Sequence, residues 1–276
     1  KKNGNRYPTS PVRDALSVAQ FNSSSISPHI CGNDSRFSFR ILKAKMKNRI
    51  KKMSDDLLWI FYPTLCAACD RPLLMGEECL CTFCKYYLPR THFHLQSINP
   101  VAKHFWGKVP IQAATSYYYF SKGEKVQRLI HKLKYKDRKD VGMYIGQLMG
   151  SDMKDSPFPK PDIVVPVPLH EKKLKLRGYN QSDFIAEGFA KSMNAVFEPQ
   201  MVYRNKETET QTRKHRFDRY MNMDNVFSIN KELAASDKNI LLIDDVITTG
   251  STLISCAEAL LEIPGTKLSI ASIACA

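Results

Sequence analysis

Apolar and polar positions along this chain switch between two periods, and the switches mark its elements. Ile240, Leu241, Leu242 and Ile243 form an unbroken apolar run, the pattern of a strand buried on both faces, and the run stops at two adjacent carboxylates, Asp244 and Asp245. A short loop follows, and then Leu253, Ala257, Leu260 and Leu261 take helical spacing. Residues 109–120 read as a strand, aromatic at Tyr117, Tyr118, Tyr119 and Phe120. A helix is expected from near Gly123, with Val126, Leu129, Ile130 and Leu133 as its apolar stripe. Its other face, with Lys122, Lys125, Arg128, Lys132, Lys134 and Lys136, reads as solvated. Val141, Ile145, Leu148 and Met149 predict a second helix over about 141–153, and prolines at 157, 159 and 161 make a stiff connector. Residues 162–168 predict a strand that leaves through prolines, and Ile185, Phe189 and Met193 line a later helix. Strands alternating with helices point to an α/β fold built on a parallel sheet.

Two stretches break this pattern. Residues 204–222 are polar and carry almost no apolar period, which suits a lid or binding loop. Lys206, Arg213, Lys214, Arg216 and Arg219 would give such a lid the charge to close over an anionic ligand. The other is the beginning of the chain. Of a formal net charge of +14 over 276 residues, the first 52 contribute twelve Lys/Arg against two acids, Asp14 and Asp34. The remainder is close to balanced, which weakens a general nucleic-acid reading. Residues 1–52 suit an organellar transit peptide, a basic arm on DNA, or a disordered or non-native extension. The last is the expectation, with Met53 or Met46 as the native start. No apolar run suits a signal peptide or a membrane span, so a cytoplasmic location is expected.

Five of eight cysteines fall between residues 66 and 84. Cys66-x2-Cys69 and Cys81-x2-Cys84 are two knuckles, and four thiolates complete a closed, tetrahedral, structural zinc site. A segment of about 40 residues buries too little core to fold unaided, which favours a metal. Cys79 is a spare, and Cys66, Cys69, Cys79 and Cys84 form an alternative set. Cys31, Cys256 and Cys275 stand alone.

The strand, acidic pair, hydroxyl-rich loop and helix of residues 239–261 form a unit with its own chemistry. Unpaired N–H groups at a helix start attract a phosphate. Gly250 permits close backbone approach, and Thr248, Thr249, Ser251 and Thr252 add hydroxyl donors. Asp244 and Asp245 repel a phosphate, so their partners are sugar hydroxyls or hydrated magnesium. A sugar phosphate satisfies both halves. The same run could be a Walker B strand, but no G-x-x-x-x-G-K-[ST] loop accompanies it.

Asp244-Asp245-Val-Ile-Thr-Thr-Gly250 resembles the phosphoribosyl pyrophosphate (PRPP) signature of type I phosphoribosyltransferases. The order of the cysteine knuckles, Lys-Leu-Lys-Tyr135, Val-Pro-Val-Pro-Leu-His170, Arg177-Gly-Tyr-Asn-Gln181, then Gln211, Arg216, Asn222 and Phe227, resembles ComF-like proteins over residues 58–276. That resemblance implies a zinc knuckle at 53–100 joined to a phosphoribosyltransferase-like parallel sheet flanked by helices at 101–276. It implies PRPP as ligand, magnesium with it, and an unidentified acceptor. Asp244 and Asp245 would hold the ribose, and residues 248–252 the 5′-phosphate. Pro168, Leu169, His170, Lys172, Lys173 and Arg177 would bind the pyrophosphate, with Lys206 and Arg216 on the catalytic loop. The acceptor hood would be the zinc module with residues 117–120. It also implies a link to DNA uptake in competence. A non-catalytic alternative is a PRPP sensor that holds single-stranded DNA or a competence helicase.

Overall fold

A computed structural model describes residues 62–205 and 226–276. The anticipated extension at residues 1–52 and the positions Lys206, Gln211, Arg216 and Asn222 lie outside them.

In chain order the described elements are α1 (Thr82–Tyr87), a 3-10 turn (Phe93–Leu95), α2 (Pro100–Lys103), β1 (Ala113–Tyr119), α3 (Lys125–Tyr135), α4 (Lys139–Met153), β2 (Ile163–Pro166), α5 (Glu171–Arg177), α6 (Gln181–Met193), β3 (Val196–Phe197), β4 (Val202–Arg204), β5 (Phe227–Ile229), β6 (Asn239–Ile247), α7 (Ser251–Leu261) and β7 (Lys267–Cys275). Five strands form one sheet in the order β1-β7-β6-β2-β3, and every pairing is parallel. A separate ribbon pairs β4 with β5 antiparallel. The expected architecture is observed: an α/β fold on a parallel sheet, preceded by a small four-cysteine module.

Helices cover both faces, so the central strands are apolar without alternation. Leu241 and Ile243 of β6 pack into one core with Leu129, Leu133, Ile145 and Ile185, while Ile240 and Leu242 pack into the other with Leu253, Ala257 and Leu260. The first core also takes in Cys66, Ala67, Leu73, Leu80, Cys84 and Leu88, so the cysteine segment is sealed against the sheet domain by shared burial. Two aromatics from the expected acceptor hood lie in this core as well. Tyr117 and Tyr118 are buried, with Tyr117 OH donating to Asp152 Oδ2 at 2.7 Å, and so offer no open face to an acceptor.

The tightest seam joins α4 to α6. Gly142, Gly146 and Gly150 recur every fourth residue on α4, opposite Gly188 on α6. A Cβ at Gly146 would stand 2.1 Å from the Ile185 carbonyl oxygen, and one at Gly188 2.2 Å from that of Met143. Only hydrogen at these positions lets the two backbones touch.

Several boundaries differ from the sequence reading. The β6 strand does not stop at the acidic pair. It runs through to Ile247, because β7 continues beside it, pairing Asp244 with Ser272 and Ile247 with Cys275. The β1 strand starts later, at Ala113. After Pro168, where the sequence reading assigns no element, α5 forms, capped by His170 and ended by Gly178 at φ +78°. Arg204, expected in the polar loop, closes β4 opposite Phe227.

Candidate functional site

The acidic pair is positioned by an overhang. β2 pairs with β6 only as far as Pro166 opposite Ile243, so β6 continues past its neighbour and projects Asp244 and Asp245 beyond that edge. Ligands of open α/β sheets bind at such carboxyl ends of strands. A cavity of about 150 Å³ opens there, lined by Lys134, residues 167–170, Lys173, Arg177, Gln181, Ser182, Arg204, Asp244, Asp245 and Thr252.

Asp244 Oδ1 accepts from Ser182 Oγ at 3.1 Å and from the Asp245 N–H at 2.8 Å. Burial, together with the neighbouring Asp245 charge, pushes the Asp244 carboxyl up from the usual range. Asp245 is 5% exposed, and its Oδ2 lies 2.8 Å from Lys134 Nζ without forming a well-directed hydrogen bond. These two adjacent carboxylates are the residues that would hold a magnesium ion in this crevice, and Lys134 already faces one of their oxygens.

The loop after β6 turns at Gly250, whose φ of +74° a side chain would strain, and Phe105 packs 3.4 Å from the place of its missing Cβ. Gly250 caps α7 with no side chain; the Ser251 N–H reaches only Thr249 Oγ1, at a long 3.5 Å, so the start of this helix can still serve a further acceptor. Thr248, Thr249, Ser251 and Thr252 are exposed, and Thr249 Oγ1 lies 3.0 Å from Ser251 Oγ. Thr252 of this group lines the cavity.

The opposite wall is basic. Of the residues assigned to pyrophosphate from the sequence, Pro168, Leu169, His170, Lys173 and Arg177 line the cavity, whereas the exposed Lys172 does not. Arg177 Nη1 donates to Gln181 Oε1 at 2.8 Å, while its Nε is buried with no hydrogen-bond partner, an available donor beside the acids. The rest of the Arg177–Gln181 motif is scaffold. Tyr179 OH donates to the Leu133 carbonyl, and Asn180 caps α6 while donating to the Val167 carbonyl at 3.1 Å. Lys134, Ser182 and Arg204 line the cavity without being singled out as site residues by the sequence, and Gln181 joins them from the Arg177–Gln181 motif. Lys134 is hidden in a run of lysines that reads as a solvated face, and Arg204 at the edge of a polar loop.

The cysteine centre sits apart from this cavity. Sγ atoms of Cys66, Cys69, Cys81 and Cys84 lie within 4.8 Å of one another, with Cys69 and Cys81 3.7 Å apart. Tetrahedral zinc with bonds of about 2.3 Å asks for sulfurs roughly 3.8 Å apart, so these four fit a structural metal. Cys81 caps α1, and the Cys81 N–H donates to Cys66 Sγ at 3.3 Å. Burial opposes ionisation of Cys66, but N–H groups of Cys81, Ala68 and Cys69 outweigh it and bring the thiol down to about 7. Cys79 falls outside the quartet, and burial pushes its thiol up to about 12, the behaviour of a core residue. The set with Cys81 is therefore the one brought together. No described helix is long and apolar enough to cross a membrane.

No family model matches the chain. It is similar to the DNA utilization protein YhgH of Escherichia coli, 27% identical over 216 residues that cover 72% of this chain and 92% of that protein. Competence protein F of Haemophilus influenzae is 31% identical over 47% of this chain and 59% of its own length, and competence protein ComFC of Bacillus subtilis 34% identical over 40% and 42%. Similar solved structures include glutamine PRPP amidotransferase from B. subtilis (18% identity, TM-score 0.37, 51% of this chain and 30% of that one). They also include adenine phosphoribosyltransferase from Saccharomyces cerevisiae (15%, TM-score 0.33, 50% and 68%). The chain is thus similar to proteins named for DNA utilization and for competence.

Proposed function

We propose that the crevice beyond β2 binds PRPP and that the protein is a phosphoribosyltransferase-like member of its family, with residues 53–100 as zinc module and 101–276 as PRPP domain. The observation that carries this reading is one strand-loop-helix unit presenting twin acids and an uncapped helix start to the same basic cavity. A diphosphorylated pentose has hydroxyls for the acids, a 5′-phosphate for residues 248–252, and a pyrophosphate for Lys173, Arg177, His170 and Arg204. Pro168 and Leu169 shape the wall.

The reaction is displacement of pyrophosphate from C1. Positive charge develops on the ribose as the leaving group departs, so catalysis consists of orienting the ring and receiving the anion. Asp244, fixed by Ser182, and Asp245 orient the sugar. Magnesium, when bound by these carboxylates, neutralises charge on the leaving group. Lys206 and Arg216, outside the described residues, are assigned to the leaving group on the strength of the family resemblance. The acceptor is unidentified. Its approach is not over Tyr117 and Tyr118, which are buried. Replacing both acids, Asp244→Ala with Asp245→Ala, should abolish PRPP binding in calorimetry while leaving fold and zinc content intact. Undiminished affinity would refute the assignment.

A second reading, of an accessory protein that senses PRPP and holds single-stranded DNA or a competence helicase, is favoured by one surface. Phe83, Tyr86 and Tyr87 are exposed on α1, ring against ring, with Lys125 Nζ 4.7 Å and Arg71 Cζ 5.6 Å from the Phe83 centroid. Aromatics beside cations stack unpaired bases. DNA affinity that barely changes with salt would exclude a phosphate-contacting surface here. A thiolate metal centre suits a reducing cytoplasm, where we place the protein, with a role in DNA uptake suggested by its relatives' names.

A further inference from the structure

Lys134 is the charged residue of this crevice that the PRPP reading does not use. It lies on α3, directly after two residues with fixed positions. Leu133 is fully buried, and its carbonyl accepts from Tyr179 OH. Lys132, the residue before that, pairs with Asp70 and donates to the Cys66 carbonyl at 3.2 Å. This anchoring aims Lys134 inward, where Nζ comes within 2.8 Å of Asp245 Oδ2. The carboxylate side chain is 7% exposed and that of the lysine 21%, so solvent screens this pair far less than a surface ion pair. Asp245 has a second carboxylate beside it in Asp244, and Lys134 lines the same cavity as Lys173, Arg177 and Arg204.

We propose that Lys134 is the intrinsic counter-ion of Asp245 and competes with a divalent cation for that carboxylate, so that metal is admitted together with a phosphate-bearing ligand rather than ahead of it. This rests on the reading of the acidic pair as the ribose and magnesium site. An ammonium and two carboxylates sum to a single negative charge, too little to hold a divalent ion strongly. The ammonium also repels the incoming cation at short range in a poorly screened site. A pyrophosphate changes both terms. It brings its own negative charge to the metal and offers the ammonium new oxygens on the same side as Lys173 and Arg177. Lys134 then exchanges a carboxylate for a phosphate, and Asp245 is released to the cation or to the ribose hydroxyls. No covalent step is involved. A purely structural lysine, tying α3 to β6, would affect stability but not the order in which metal and ligand arrive.

The experiment uses the full-length, zinc-loaded protein at pH 8, with Mn2+ as a probe whose free concentration is read by electron paramagnetic resonance. Lys134→Met should bind Mn2+ alone at least tenfold more tightly than the wild type. Lys134→Arg should behave as the wild type, and Lys134→Met combined with Asp245→Asn should lose the gain. For Mn2+ with PRPP the order reverses, and Lys134→Met should bind about tenfold more weakly. Circular dichroism confirms the fold, and Lys134→Gln serves in place of the methionine variant if that one does not fold. Equal affinity of wild type and Lys134→Met for Mn2+ alone overturns the proposal, even if the wild type binds PRPP. A gain in Mn2+ affinity with no PRPP binding by the wild type upholds the counter-ion and sinks the sugar-phosphate reading instead.

Discussion

The contact of α4 with α6 makes Gly146→Ala a severe substitution for a single methyl group. The added Cβ would stand 2.1 Å from the Ile185 carbonyl oxygen and 2.9 Å from the Phe189 nitrogen. Both obstacles are backbone, so no rotamer change relieves them. Heavy atoms reach comfortable contact near ~3.5 Å, so the helices must part by about 1 Å along the seam. Overpacking of this kind costs about 1–3 kcal/mol, and alanine's better helix propensity returns roughly 1 kcal/mol. Backbone-on-backbone conflict puts the cost near the top of its range, leaving a net loss of about 2 kcal/mol. For a chain of this size that lowers Tm by roughly 4–8 °C. Urea unfolding should show a lower midpoint at unchanged slope, because the surface exposed on unfolding is the same. The effect reaches the site as well, since α6 begins with Gln181 and Ser182, and displacing it stretches the Ser182–Asp244 bond of 3.1 Å. PRPP affinity should therefore fall along with stability. Gly142→Ala is the control, meeting Phe184 Cβ at 2.9 Å and Leu133 Cδ1 at 3.1 Å, side-chain atoms that can give way, and should cost less. A Gly146→Ala protein as stable as wild type would refute the reasoning, because propensity would then have outweighed the clash.

Other outcomes follow from single contacts. Cys81→Ser should reduce bound zinc, measured by elemental analysis, below one ion per chain, while Cys79→Ser should keep the ion, since only Cys81 of the two joins the quartet. Gly250→Ala forces an alanine to φ near +74°, at a cost of about 1 kcal/mol. PRPP affinity should fall with it, while the zinc content of the cysteine module stays unchanged. Asp183 is raised to about 6 by burial, with the Asn180 bond at 2.6 Å opposing the shift. Between about pH 4 and 6 the folded chain then holds a proton that the unfolded chain has released, so stability from this group declines as pH rises through that window. Asp183→Asn should flatten that decline in urea titrations, and an unchanged pH slope would count against the buried carboxyl.

What sequence reveals and what it conceals divide along physical lines. Apolar runs on β6 and the helical stripes of α3, α4 and α6 are readable because burial on both faces of a parallel sheet imposes them. The Cys66–Cys84 quartet is readable because its ligands are close in sequence. The end of β6 is misplaced because carboxylates look like a boundary, yet a longer neighbour, β7, carries the ladder through them. Aromatics at 117–120 look like a recognition surface, but Tyr117 and Tyr118 fill the seam under the cysteine segment, where Arg90, Asp152 and Tyr117 meet. Gly142, Gly146 and Gly150 do not stand out, although their spacing of four is the visible trace of a close helix contact. Lys134 cannot be separated from Lys132 or Lys136 by composition. Only the rotation of α3 about its axis decides which lysine meets an acid.

That rotation also ties the two ends of the protein together. Lys132 reaches Asp70 and the Cys66 carbonyl on the first knuckle, Leu133 enters the core, and Lys134 reaches Asp245. Three successive side chains thus link the cysteine module, the sheet and the acidic pair through one turn of helix. Loss of metal would free the first knuckle and, with it, the contact that fixes how α3 is turned. A turn of the helix by one residue position, about 100°, would carry Lys134 off Asp245 and leave two adjacent carboxylates without their cation. Although among the described residues the cysteine module contributes none to the crevice lining, a protein stripped of its metal should therefore lose PRPP affinity before it loses its sheet.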